Sequence, residues 1–591
     1  MRVKFFLAAV VLAAACAQAQ TNMSLSRLSS SEAERLVTSY GGPQSRLAGW
    51  IYTGKYLYQP GEQIELRYTL KTNDDLYPYV VLAYRQNNQT GEKVYLPGNS
   101  AAVTDIDGNT LAQGFQPSQL ENAAKQVLAT VAAPNEPGMH TFVLELRDYT
   151  GTRVLQAMYM KIGIVSSVQT LSGDITSDRT LTNTVQWNLS GRVNVKNGAT
   201  LSIEPGTFII GQPGSQPPSV LVITPTGKIN ASGTRSRPII MTSSLPFGQR
   251  TRGDWGGLVL LGKAPVNVTG GTSFIEGLTA DPDLQYGGGA TPDPTHDCGT
   301  LRYVRVEYAG SILAPNSEVN AFTWGACGTA TVADHLQSSY GLDDAFEWFG
   351  GTVNAKYLVG GLANDDFVDF QLGYTGKIQF GLMYQSPDAK GNRGLEGDNS
   401  EFDNAAVPSS NPTIFNVTFI GSGTAGSDEG DNVPGLFLRR GARATINNTV
   451  VTRFWAPGVS ISDATTQAQA DLGNVKMDGI LLFNNNIAQQ GANTLEGQLR
   501  AGYTLDFANG QKGSGAGKNF IAGADPLLSN PFEYSAPDFQ ARFGSPIFRA
   551  GWVSPPDDGF FDQSAKFLGG IGDVDWTEEW TNFLVEQDVA P

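Results

Sequence analysis

The side chains best suited to chemistry in this chain lie within SYGLDDAFEWFGGTVNAKYLVGGLANDDFVDF, residues 339–370. Two acid pairs, Asp343-Asp344 and Asp365-Asp366, recur 22 residues apart, and each is followed by a further acid, Glu347 or Asp369. Clustered carboxylates serve two kinds of chemistry. They bind a hard cation such as Ca²⁺, which takes several carboxylate oxygens at once. Alternatively, they perturb one another so that one stays protonated, as the general acid of glycoside hydrolysis requires. A third outcome has no function at all: the acids splay into water and accept hydrogen bonds from corner amides. A second acidic stretch, NRGLEGDNSEFDN at 392–404, offers Glu396, Asp398, Asn399, Glu401 and Asp403 on a Gly-rich segment, read as a loop that folds over the first. It lacks the EF-hand spacing. GSDEGDN at 426–432 is a weaker third case.

The elements that must position these acids are legible from their repeat. Residues 328–349 set over 350–371 match Gly328 with Gly350, Ala333 with Ala355, Leu336 with Leu358, and both acid pairs with each other. A period of 22 is about one turn of a parallel β-helix. Counterparts on successive turns lie about 4.8 Å apart, so Asp343 faces Asp365, Asp344 faces Asp366 and Glu347 faces Asp369. Side-chain alternation turns Phe346, Trp348, Val368 and Phe370 inward. It leaves Asp343, Glu347, Asp365 and Asp369 on one outer patch. Asp344 and Asp366 sit at the corner where the strand begins, where they are expected to cap backbone amides. The expected Ca²⁺ ligands are Asp343, Asp365, Glu347, Asp369, Glu396 and Asp398; Asp343, Glu347, Asp365 and Asp369 are also the catalytic candidates if the protein is an enzyme.

The whole chain fits this reading. Its 591 residues include 69 Gly and only 16% charged residues, which points to many short strands joined by tight turns. The N-terminal MRVKFFLAAVVLAAACAQAQ has early positive charges, an apolar run and Ala17-Gln18-Ala19 as a cleavage site, so residues 1–19 read as a secretory signal peptide. A cut before Cys16 would instead give a lipid anchor, although Ala13 stands where such signals usually place Leu. No other run is long enough to span a bilayer. The net charge of −16 disfavours nucleic acid and anionic lipid. Cys298 and Cys327, the two cysteines beyond the signal, are expected to pair in an oxidising compartment. Residues 20–165, a polar leader followed by alternating strands such as IELRYTL and FVLEL, read as an immunoglobulin-like β-sandwich. Residues 166–530 read as the β-helix. Residues 531–591 read as a C-terminal cap in which Trp576 and Trp580, four apart, fit one face of a short helix covering the last turn.

LSIEPGTFIIG, GDWGGLVLLGKAPVN, LRYVRVEYAG and DDAFEWFGGTVN, with the closing PPDDGFFDQSAKFLGGIGDVDWTEEWTNF, resemble segments of secreted bacterial right-handed β-helix proteins related in shape to pectin lyases. The resemblance covers about residues 170–585. It implies an all-β fold and an exported, extracellular or outer-envelope habitat, and it supplies no reaction. β-Helix polygalacturonases combine stacked Asp with Gly-His-Gly and Arg-Ile-Lys segments, neither of which occurs here. β-Helix pectate lyases pair calcium-binding acids with a basic side chain, for which Arg393, Lys356 and Lys377 are the sequence neighbours. His335 aligns with Tyr357 of the next turn and reads as a face residue. The expected function is therefore non-catalytic binding of a polysaccharide or cell-surface component, stabilised by Ca²⁺. The rival is a polysaccharide lyase or glycoside hydrolase using the stacked carboxylates.

Overall fold

The computed structural model describes residues 48–586 apart from 72–78, 99–101, 105–109, 116–122, 149–153, 215–217, 276–277, 279–280, 315–316, 386–392, 425–432, 515–518 and 550. The segment read as a signal peptide, Cys16, the polar leader and the whole of GSDEGDN fall outside the described residues.

Two larger sheets and the two-stranded ribbon Ala102–Thr104 with Thr110–Gln113 form the N-terminal unit. One holds three strands, with Gln63–Lys71 between Ala48–Tyr52 and Ala123–Ala132. The other holds five, with Gly138–Asp148 flanked by Tyr79–Asn87 and Val154–Ile164. The inward residues of both, among them Ile64, Leu66, Phe142, Leu144 and Met160, share one core. That core continues into Phe208, Ile210 and Ile240 of the second unit, so the two pack without a break. Tyr56 anchors the junction: its hydroxyl donates to Glu307 at 3.1 Å and accepts from Arg305 at 2.9 Å and from Asn582 at 2.6 Å.

From Ser167 to Ala522 the chain winds as a right-handed parallel β-helix, a continuous sheet of 23 strands in which each pairs with a strand one turn away. The 22-residue register holds: Ala333 pairs with Ala355, Leu336 with Leu358, Phe346 with Val368 and Glu347 with Asp369. Inside the bore, apolar residues stack on their counterparts and bury their faces from water. Trp324 and Trp348 lie 5.0 Å apart at 6°, Phe322 and Phe346 5.3 Å apart at 16°, and Trp348 continues onto Tyr374 at 5.3 Å. Cys298 and Cys327 form a disulfide between fully buried positions with Cα atoms 5.9 Å apart.

One corner recurs as a column of left-handed residues: Tyr303, His335, Tyr357, Phe380, Asn416 and Asn448, with φ between 49° and 64°. A bend is needed there because each long strand serves two faces of the helix, and bulky residues rarely adopt such φ values. Ring stacking at 4.2, 4.3 and 4.9 Å along Tyr303, His335, Tyr357 and Phe380 offsets the strain. His335 is thus a face residue in a stack.

The C-terminal segment differs from expectation. Ile547 and Leu568 pack on Leu481 and Ile521 of the final turns, but Trp576 and Trp580 do not lie there. The segment runs along the outside of the corner column, where Trp576 and Trp580 meet His335 and Trp580 meets Tyr303, and it returns to the N-terminal unit through Asn582. Trp576 and Trp580 stand in turns instead of a helix. Near the final turn, Leu499 and Phe507, at the short helices Leu495–Gln498 and Tyr503–Ala508, join the core instead.

Candidate functional site

The acids belong to one column of short outer strands: Gly257–Leu261, Phe322–Gly325, Phe346–Phe349, Val368–Gln371, Leu395–Asp398 and Leu436–Arg439. Between the inward rings, the outward residues form a file running Val259, Thr323, Glu347, Asp369, Glu396, Phe437. The stretch read as an overlying loop is therefore partly a strand: Glu396 occupies the next rung after Asp369, and Asp398 lies on the same strand. The loop reading failed because its two glycines masked a strand of the same column.

A second file stands at the corner preceding these strands. The Asp344 amide donates to Asn320 Oδ1 at 3.1 Å, the Asp366 amide to Asp344 Oδ1 at 2.9 Å, and the Arg393 amide to Asp366 Oδ1 at 2.6 Å. Asp344 and Asp366 thus cap backbone amides, as expected, but across turns and not within one. Buried amides must find acceptors, and a carboxylate on the turn below supplies one.

The outer patch is less open than its parity suggests. Glu347 is 5% exposed, Asp344 6% and Glu396 5%, while Asp343, Asp365 and Asp369 are half-buried. Asn320 and Gln371 hold the Glu347 carboxylate, the latter at 2.9 Å. The file is divided by charge. At its C-terminal end, Arg393 pairs with Glu396 and, at 3.4 Å, with Asp366; Arg439 pairs with Glu396 and, at 2.8 Å, with Asp398; Arg440 reaches Asp398 at 2.7 Å. Glu396 and Asp398, expected as metal ligands, are ion-paired acids here. Of the basic residues flagged, only Arg393 is at the site. Lys377 pairs with Asp558 at 2.6 Å, and Lys356 lies over the Phe560 ring.

At the N-terminal end the carboxylates crowd one another. Asp343, Asp344 and Asp365 bring oxygens within 4.8 Å of each other, and so do Asp344, Glu347 and Asp369. Two triads therefore share Asp344, the residue that sequence parity assigned to capping alone. Burial, together with Asp343 and Asp365, pushes the Asp344 carboxyl well above the ordinary range. Burial, with Asp398 and Asp366, does the same to Asp369 against the pull of Arg439 and Arg393. Three buried oxygens in this file, Thr323 Oγ1, Asp369 Oδ1 and Glu396 Oε1, have no hydrogen-bond partner among the described residues, and of these Glu396 Oε1 is ion-paired with Arg439. Thr323 is fully buried and one rung from Glu347.

The donors are hard oxygens, and a separation of 4.8 Å is about twice a Ca²⁺–oxygen distance of about 2.4 Å, so either triad fits around one such ion. The residues that would hold it are Asp343, Asp344 and Asp365, or Asp344, Glu347 and Asp369. Asn320 and Thr323 were not singled out in the sequence. The turn from Asn320 to Asp344 is 24 residues long, so an offset of 22 misses that pairing.

Among known proteins, the model of a family described as a pectate-lyase-like β-helix domain matches residues 173–525. No curated protein and no solved structure matches. Among the described residues, no helix is long and apolar enough to cross a membrane.

Proposed function

The chain belongs to the pectate-lyase-like β-helix family, and on that premise we propose that it is an exported surface protein that binds a glycan or other envelope component without cleaving it, its acidic file held by Ca²⁺. The observation that carries this reading is that the crowded carboxylates are also buried. Uncompensated buried charge is costly, so the triads call for a cation or a proton. A carboxylate only 6% exposed, as Asp344 is, has little reach to a polymer. Export is supported by the signal-like N-terminus and by the Cys298–Cys327 disulfide, a bond that persists in oxidising compartments. The long stack of turns offers an extended rigid face, which suits a long ligand.

The rival reading, a polysaccharide lyase or glycoside hydrolase, draws on the raised pKa of Asp344, a property suited to a general acid. It also requires hydrogen-bond reach to a substrate. The test is to incubate the mature protein with calcium and a panel of acidic and neutral polysaccharides, scoring retention and chain length together. Retention without scission is expected. Scission lost in Asp343→Asn or Asp365→Asn would make the file an active site and overturn the binding reading.

A further inference from the structure

Phe402 is 80% exposed, more than any other large apolar side chain among the described residues. Its loop is firmly pinned. Asn399, fully buried, donates to the carbonyls of Asn404 at 3.1 Å and Ala406 at 3.0 Å, and accepts from the Ser410 amide at 2.9 Å and Asn267 Nδ2 at 2.8 Å. Ser400 Oγ accepts from the amides of Phe402 and Asp403 at 3.3 and 3.4 Å, which leaves its own proton to donate. An aromatic ring is thus held out in water by a network that fixes the backbone on both sides of it, at a cost in apolar exposure that calls for a partner.

Beside the ring opens a cavity of about 280 Å³, lined by Asn267, Thr269, Ser273, Ser400 and Asp403 as well as Phe402. Asn267 is 7% exposed. Its amide nitrogen is engaged by Asn399 and by the Pro408 carbonyl at 3.1 Å, whereas its Oδ1 has no hydrogen-bond partner among the described residues. That oxygen is itself enclosed, so the polar groups of the lining that a ligand can address are those of Ser400 and Asp403.

We propose that this cavity is a subsite for one neutral pyranose unit of a glycan, with Phe402 as its stacking platform. The inference rests on the glycan-binding reading and assigns that reading a place. A sugar ring has one apolar C–H face and a rim of hydroxyls. The face packs on Phe402, one hydroxyl accepts from Ser400, and another donates to the Asp403 carboxylate. A purely apolar partner would bury Ser400 and Asp403 without hydrogen bonds, at a penalty for each. A uronate would meet Asp403 in the lining and a chain of net charge −16. The volume lies near the lower end of the roughly 300–1,000 Å³ usual for small-ligand sites, which fits a single ring. The subsite begins two residues after Asp398, at the end of the strand that carries Glu396, so a bound chain would pass close to the acidic file.

The test compares wild type, Phe402→Ala and Phe402→Trp for retention on immobilised neutral β-glucan, xylan and mannan and on polygalacturonate. Wild type is expected to be retained on at least one neutral polymer in preference to polygalacturonate. Phe402→Ala should weaken that retention at least tenfold with the melting temperature unchanged, since the ring is exposed, and Phe402→Trp should restore it. Retention equal in wild type and Phe402→Ala would overturn the subsite and leave glycan binding standing. No retention on any of the four would overturn both. Preference for polygalacturonate would overturn the neutral-sugar assignment.

Discussion

Replacing Asp344 with Asn separates the charge of this residue from its hydrogen bond. Asn keeps an Oδ1 to accept the Asp366 amide, now 2.9 Å away, and nearly the same volume, while the negative charge disappears. Two unit charges 4.8 Å apart repel by about 3.5 kcal/mol at an effective dielectric of about 20. Asp344 faces four carboxylates at or within that distance across the two triads. Full ionisation without a cation would therefore cost more than about 10 kcal/mol, comparable with the whole stability of a typical domain, about 5–15 kcal/mol. The folded site must hold a proton or a cation. In EGTA at pH 8, Asp344→Asn is expected to melt at or above the wild-type temperature, because it removes repulsion. Calcium a hundredfold above its Kd should stabilise the wild type by about 2.7 kcal/mol, and the variant by less than a quarter of that. Differential scanning fluorimetry with and without calcium reads both. An equal calcium response in the two proteins would refute the reasoning. So would a loss of about 1–3 kcal/mol by the variant in EGTA, which is what removal of an ordinary buried hydrogen-bonding group gives.

The pH dependence follows from the same groups. Asp344 and Asp369 have folded pKa values raised above their unfolded ones, so the folded state binds more protons between the unfolded carboxylate value near 4 and the raised folded value. Stability from these two groups is present at low pH and lost as pH rises through that window; calcium-free protein should melt progressively lower from pH 5 to pH 8, and saturating calcium should flatten the slope. A calcium-free curve that rises over this range would contradict the assignment. The disulfide closes a loop across a sequence separation of 29, and its removal in Cys298→Ala/Cys327→Ala should cost about 3.5 kcal/mol by loop entropy, read from denaturant unfolding. In the native, unreduced protein a thiol reagent should modify neither cysteine, and labelling of both would remove the bond.

The fold was legible because the bore imposes a strict demand on sequence. Phe346 and Val368, or Trp348 and Phe370, must be apolar at a fixed offset, so the period survives in the residues themselves. The facing of Glu347 and Asp369 was legible for the same reason, whereas the place of Glu396 on the next rung was not. What escaped was set by features that an offset of 22 does not carry. Turns of unequal length join Asn320 to Asp344 and Asp366 to Arg393, so the capping file needed the structure to appear. The Glu347 carboxylate is held by Asn320 and Gln371, and the ion pairing of Glu396 and Asp398 depends on Arg439 and Arg440, which lie some 40 residues further along the chain. Trp255, Trp324 and Trp348 are fully buried in the bore, whereas Phe402 stands exposed in a polar loop whose sequence carries no periodic signal.

The most direct test of the central claim is equilibrium dialysis of chelator-stripped wild type and Asp344→Asn against radiolabelled calcium at pH 8, repeated for wild type at pH 5. At least one ion per wild-type chain at pH 8, weaker uptake at pH 5 where protons compete for the same oxygens, and little uptake by Asp344→Asn are the expected results. A wild-type chain that takes up no calcium at pH 8, or one that binds it as tightly as Asp344→Asn does, would contradict the account.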